Sequence, residues 1–406
     1  MKSEREYTKV ILTPRGTRRR ESRHPWVYDN EIDRVEGPYE NGDIVDVITS
    51  GGKYAGSGFI NDNSKIRVRI LSDNANEVFD EAFWKRRVGY AVDYRQTVMG
   101  ADTSCCRLIF GEADEFPGLT VDRFSDLLVT QVLSLGIEKR KDVIYKALYD
   151  LLRERGEDIK GIFERNDVNI RALEGMEEYK GWYEIPGVKT PDSPLTVIEE
   201  NGIKYNVDVE NGQKTGFFLD QKYNRAAVAK IAKGKKVLDC FTHTGSFALN
   251  AAAGGAAHVH AVDVSESAVE MARKNAELNG LSDIMSFQAA DVFDLLPTLT
   301  KGEYDLIILD PPAFTKSRKT RGNAERGYKE INYRAMKLLR RGGYLATCSC
   351  SHFMDEESFI KMLDSAAADA GVRIKQIEKR QQSPDHPILL NVNETDYLKF
   401  FILQVF

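Results

Sequence analysis

The chain has 406 residues, 42% hydrophobic and 29% charged, with a formal net charge of −5. That balance is ordinary for a globular protein and excludes a disordered or collagen-like chain. No apolar run approaches the roughly 18 residues needed to span a bilayer, and the charged start, Met1 to Glu6, has no signal-peptide core; the expected location is cytoplasmic.

Residues 1 to about 72 alternate short β-type runs, at Asp43–Ile48, Tyr54–Ile60 and Ile66–Leu71, with turns at Gly51-Gly52 and Asn61–Asn63. A small β-barrel is expected there. Lys2 to Arg23 carries eight basic residues against three acidic ones. Such a run commonly forms a solvated face, but screening lets a local patch hold phosphate even on an acidic chain. From 73 to about 195 the pattern predicts a helix over 81–97, strands near 119–122 and 127–133, a helix over 138–155 and a strand over 162–165. Pro186, Pro191 and Pro194 mark a linker.

From about 196 strands and helices alternate. Strands are predicted over 236–241, 258–264, 285–290, 304–310 and 343–350, with helices over 246–253 and 266–279, the latter closed by Gly280. Candidate strands over 373–379 and 397–406 end the chain. Such alternation predicts a doubly wound parallel sheet whose ligand lies beyond the carboxyl ends of the strands.

Three strands in succession end in acids: Asp239, Asp263 and Asp291. The loop Asp239-Cys-Phe-Thr-His-Thr-Gly245 has one glycine, not the G-x-G-x-x-G that cradles a pyrophosphate. Asp263 stands where a carboxylate accepts ribose hydroxyls, and Asp291 where one could accept from an adenine amine. Taken singly, each acid is more often a helix cap or a loop residue. Together they suit a nucleoside without phosphates and count against a nicotinamide-dependent oxidoreductase.

In order, Asp239–Gly245, Asp263, Asp291 and Asp310-Pro311-Pro312 resemble the first four motifs of class I methyltransferases. The segment Asn211–Arg225 resembles that preceding the first strand in the ribosomal RNA large-subunit methyltransferase I type. The resemblance implies S-adenosylmethionine as cofactor. It implies contacts from Phe217, Leu219, Asp220, Gln221 and Arg225; from Asp239, Phe241, Thr244, Gly245 and Ser246; and from Asp263, Val264, Ser265, Asp291, Val292 and Pro311.

Five cysteines, at 105, 106, 240, 348 and 350, form no CxxC pair, so neither a zinc site nor a disulfide framework is expected. Cys348 and Cys350 lie on one side of a predicted strand end. The stretch Ser349–Glu356 resembles the sixth motif of RNA cytosine-5 methyltransferases with Cys350 at the nucleophile. Cys350 is therefore the expected nucleophile, Cys348 the second candidate, and Asp310 the group that binds the cytosine edge. Buried cysteines are also plain hydrophobes. Where two-cysteine RNA enzymes carry a second cysteine this chain has Pro312, which leaves no evident residue to remove the C5 proton. Methylation of guanine N7 or of an exocyclic amine in rRNA or tRNA, and a non-catalytic RNA-binding protein, stay open.

The stretch from Val10 to Asn30 resembles the start of a PUA domain, and Asp385–Pro387 with Glu394–Lys399 resembles the family's C-terminal signature. RNA contacts are expected from Arg18, Arg19 and Arg20 and from Lys316, Arg318 and Lys319. The fold class expected is α/β: a Rossmann-like doubly wound methyltransferase domain over 196–406, a PUA β-barrel over 1–72, and a central α+β domain with linker over 73–195. RNA, ribosomal RNA in particular, is the expected partner. A homodimer stays open, and neither a membrane nor a metal is expected.

Overall fold

The structure, a computed structural model, describes residues 5–314, 321–351 and 354–406, and for 321–324 the backbone alone. It divides into two units: Met1–Ile198 with Val207–Leu219 and Pro384–Thr395, and Glu199–Asn206 with Asp220–Ser383 and Asp396–Phe406.

In the first unit, β-branched runs separated by turns give six strands: β1 (Lys9–Leu12), β2 (Trp26–Tyr28), β3 (Ile32–Glu36), β4 (Ile44–Ile48), β5 (Tyr54–Ile60) and β6 (Ile66–Ser72). They form one sheet in the order β2-β6-β5-β4-β1-β3. Inward residues of period two, among them Val10, Leu12, Val45, Val47, Ile60 and Val68, make its core. Helix α1 (Pro14–Arg20) follows β1, capped by Thr13, whose side chain accepts from the Gly16 amide at 3.0 Å.

A second sheet in this unit comprises β7 (Cys105–Phe110), β8 (Leu119–Phe124), β9 (Leu127–Val132), β10 (Gly161–Asn166) and β11 (Tyr179–Tyr183), with α2 (Glu81–Met99) preceding it. The helix expected over 138–155 is α4 (Lys141–Glu154), preceded by a one-turn helix, α3 (Leu135–Glu138). The Arg140 guanidinium is engaged by the Gly42 and Gly136 carbonyls, and its backbone (ψ 4°) departs from the helix. Strands β12 (Leu195–Glu200) and β13 (Ile203–Asp208) form a hairpin turning at Asn201-Gly202, both with positive φ, as a two-residue type I′ turn requires.

The second unit is the doubly wound layer. Its sheet holds β14 (Lys236–Cys240), β15 (His258–Asp263), β16 (Met285–Ala289), β17 (Leu306–Leu309), β18 (Tyr344–Ser349), β19 (Ile374–Arg380) and β20 (Lys399–Val405). The order is β16-β15-β14-β17-β18-β20-β19, with the first five parallel and β20 antiparallel to both neighbours. Helices α5 (Lys222–Ala232), α6 (Ser246–Ala253), α7 (Glu266–Leu278), α8 (Val292–Leu295), α9 (Arg321–Leu338) and α10 (Glu356–Ala370) complete it. Continuous apolar strands such as Leu306-Ile-Ile-Leu309 are buried on both faces, as in a parallel sheet. Leu238, Ile307, Leu345 and Phe401 pack with Tyr328, Met336, Phe359 and Met362 of α9 and α10, while Phe400 stacks on Phe247 of α6. The order reverses between β14 and β17, so their carboxyl ends form the switch point.

Candidate functional site

Asp239, the next-to-last residue of β14, is fully buried. Its Oδ2 accepts from Thr242 Oγ1 at 2.6 Å and from the Ala248 amide at 2.9 Å, which fastens the following loop to the first turn of α6. Its Oδ1 is buried without a partner among the described residues, as is Thr244 Oγ1. Burial, helped by the neighbouring Asp310 and Asp263 charges, pushes the Asp239 carboxyl up to about 8. Between the strand and α6, Phe241, His243 and Gly245 have φ of 64°, 52° and 84°. Non-glycine residues held there mark a loop whose conformation is imposed by its surroundings. At Gly245 a Cβ would stand 3.0 Å from that of Ala272, so glycine is needed for φ and for space alike.

Asp263, half-buried at the end of β15, has both oxygens on backbone: Oδ2 accepts from the His243 amide at 2.9 Å and Oδ1 from the Ser265 amide at 3.0 Å. Ser265 caps α7, and Val264 beside it is exposed. Asp291 is exposed and caps α8, accepting from the Phe293 amide at 2.8 Å, while Val292 is buried. The three acids thus lie at or just past the carboxyl ends of β14, β15 and β16, staggered so that Asp239 pairs with Ala261 and Asp263 with Ala289, and each also braces its own loop. Ser246 opens α6, and Pro311 is buried after β17.

The segment expected to border the cofactor is less uniform. Phe217 and Leu219 are buried in the first unit; Asp220, Gln221 and Arg225 belong to the second. Arg225, also buried, forms a two-pronged ion pair with Glu200 at 2.6 and 2.7 Å, an anchor for α5. Gln221 Nε2 donates to Asp310 Oδ1 at 3.2 Å and to Cys348 Sγ at 3.4 Å.

After β17 and β18 the chemistry gathers. The Cys348 thiol, buried, donates to Asp310 Oδ1 at 2.9 Å. Burial first, and then the Asp310 charge, raise the Cys348 thiol well above its ordinary range; it is a proton-holding donor, not a ready thiolate. Burial also raises Asp310. Cys350, two residues on and just past the strand end, is half-buried. Of the two cysteines, Cys348 is buried against the Asp310 carboxyl and Cys350 is the less buried residue.

Of the arginine cluster, Arg18 is exposed. Arg19 pairs with Glu31 at 2.9 Å and lies over the Tyr28 ring, and buried Arg20 is paired with Asp73 and bonded to the Ala55 carbonyl. Lys316, Arg318 and Lys319 lie outside the described residues.

A family model described as S-adenosylmethionine-dependent methyltransferase matches residues 189–401, and one described as PUA-like domain matches 10–73. A protein named ribosomal RNA large subunit methyltransferase I, from Aeromonas salmonicida, is 43% identical over 387 residues, which are 94% of this chain and 95% of that protein. The protein of the same name from Shewanella denitrificans is 41% identical over 402 residues, covering 98% and 99%. The chain belongs to the ribosomal RNA large subunit methyltransferase I family. Its fold agrees with a candidate methyltransferase solved with SAH (TM-score 0.81, 21% identity, covering 98% of this chain and 99% of that one) and with one from Streptococcus mutans (0.79, 21%, 98% and 99%). S-adenosylmethionine is the family's cofactor, and the β14 loop suits it. The loop offers orphaned Asp239 Oδ1 and Thr244 Oγ1, a left-handed turn with no side chain at Gly245, and no diphosphate cradle. Among the described residues no group of three or more His, Cys, Asp or Glu could hold a metal, and no helix is long and apolar enough to cross a membrane.

Reasoning from sequence missed two participants. The Asn201-Gly202 hairpin, which carries Glu200 to Arg225, was signalled by an Asn-Gly pair between alternating apolar runs. Lys399 was noted only as part of a signature; its burial at the head of β20 has no sequence signal.

Proposed function

We propose that the chain methylates C5 of a cytosine in large-subunit, 23S-type ribosomal RNA through a covalent adduct with Cys350. The observation that carries this reading is the division of labour between two cysteines: Cys348 is buried and proton-bonded to Asp310, whereas Cys350 stands half-exposed past the strand end. Cytosine C5 is a poor nucleophile until a thiolate adds at C6, a covalent route that splits one hard step into two. Asp310, its Oδ1 engaged by Cys348 and Gln221, directs its other oxygen to the cytosine edge. Burial raises its pKa, the direction required of a carboxyl that passes a proton to N3 as the Cys350 Sγ–C6 bond forms. Once C5 carries the methyl group, a base takes the C5 proton, N3 returns its proton, the Sγ–C6 bond breaks to release the thiolate, and the ring is restored.

When bound, S-adenosylmethionine supplies an electrophilic methyl group on a sulfonium centre. Asp239 Oδ1 and Thr244 Oγ1 would accept and donate to it, Asp263 would take the ribose hydroxyls, Asp291 the adenine amine, and Val264 would lie against the base. We also propose three domains, over 1–72, 73–195 and 196–406. The first meets RNA through Arg18, and Lys316, Arg318 and Lys319, which follow Asp310 in the sequence, supply further RNA contacts. A target base within a helix would have to leave the stack to reach Cys350. The test is Cys350→Ala: methyl transfer to rRNA should fall by at least about a thousandfold while cofactor binding persists, the scale on which a lost nucleophile acts. Undiminished transfer would remove the covalent mechanism and favour a ring-nitrogen or amine target.

A further inference from the structure

Lys399 heads β20 opposite Ser349 of β18 and is only 6% exposed. Its Nζ donates to the Ser351 carbonyl at 2.7 Å and to the Tyr397 carbonyl at 2.8 Å. Among the described residues these are its acceptors, and no carboxylate pairs with it. An ammonium held out of water without a counter-charge is costly and, where it persists, points to a task. What it grips is the residue immediately after Cys350, at the point where β18 ends and regular strand pairing no longer fixes the chain.

We propose that Lys399 is the positioning residue for the Cys350 nucleophile: its ammonium fixes the Ser351 carbonyl, hence the turn bearing Cys350, and its positive charge stabilises the Cys350 thiolate. The proposal rests on the reading of Cys350 as nucleophile. Charge supports it as well as geometry. Burial pulls Lys399 down to about 8, against the opposing influence of Asp396, Cys350, Asp355 and Cys348 around it, so the ammonium is kept at neutral pH. A cation beside a thiol is the ordinary means of bringing thiolate within reach of that pH.

The alternative is a strap that merely ties β20 to the loop after β18. Alkylation of Cys350 by iodoacetamide as a function of pH, followed on the full chain by peptide mass spectrometry, separates the two. In the unmodified protein the midpoint should lie below the roughly 8.5 of a free thiol. Lys399→Met should raise it by about one unit, slowing alkylation at pH 7 about tenfold, and Lys399→Arg should restore the lower midpoint. A midpoint at or above 8.5 in the unmodified protein overturns the proposal, as does an unchanged profile in a Lys399→Met protein that still binds cofactor. Should that variant fail to fold, the unmodified profile decides. Alkylation needs neither RNA nor turnover, so an active Cys350→Ala enzyme, which would sink the covalent reading, is a separate result.

Discussion

Asp239 holds its loop with one carboxylate oxygen and keeps the other buried and unpartnered. With a folded pKa near 8 against an unfolded value of about 4, its contribution to the stability of the ligand-free protein is fully present below the unfolded value. That contribution is lost as pH rises through about 8. Under the proposed reading the cofactor donates to Oδ1, which favours the charged form, so binding below pH 8 is expected to expel a proton. Calorimetry should find affinity rising from pH 6 to 8 and levelling above, with Asp239→Asn weaker and flat over that range. Gly245→Ala should cost about 1–2 kcal/mol through its left-handed φ and weaken the cofactor as well, measured by thermal unfolding with and without ligand. The strand-end acids and Gly245 were legible because each sits where a strand gives way to a loop. Arg20 and Arg225 were not: their partners, Asp73 and Glu200, are distant in sequence, and nothing in an arginine's neighbours says whether it will meet a phosphate or a buried carboxylate.

Elements were read best where burial dictates the pattern. The strands from β14 to β18, apolar and flanked by helices, fall within two residues of their expected bounds at either end. The chain before them was harder, since β2 is a three-residue strand and β7 and β11 lack clean alternation. The helix expected across 138–155 formed as α4 and begins three residues later, at Lys141, after Arg140 leaves the helical conformation. The Glu200–Arg225 pair joins the end of β12 to α5 inside the protein, so Arg225→Met should destabilise by about 3–5 kcal/mol, the cost of an uncompensated buried charge. Pairing it with Glu200→Leu should recover part of that loss. Urea unfolding of both variants checks this, and a single variant as stable as the parent would contradict it.

On the scale of the molecule, one chain carries a PUA-like module and a methyltransferase module, and under the proposed reading the first recognises RNA while the second does the chemistry. Arg18→Glu should weaken RNA binding at every salt concentration and lower the slope of log affinity against log salt by about one, while cofactor affinity stays unchanged. Equal loss of both would signal misfolding. In the proposed mechanism a thiol beyond β18 opens cytosine C5 to methylation. The most direct test of that mechanism is to incubate the protein with large-subunit rRNA and labelled S-adenosylmethionine, digest to nucleosides and identify the labelled product by mass spectrometry. The expected product is 5-methylcytidine; label in 7-methylguanosine or in an N-methylated base would contradict cysteine-assisted methylation at C5.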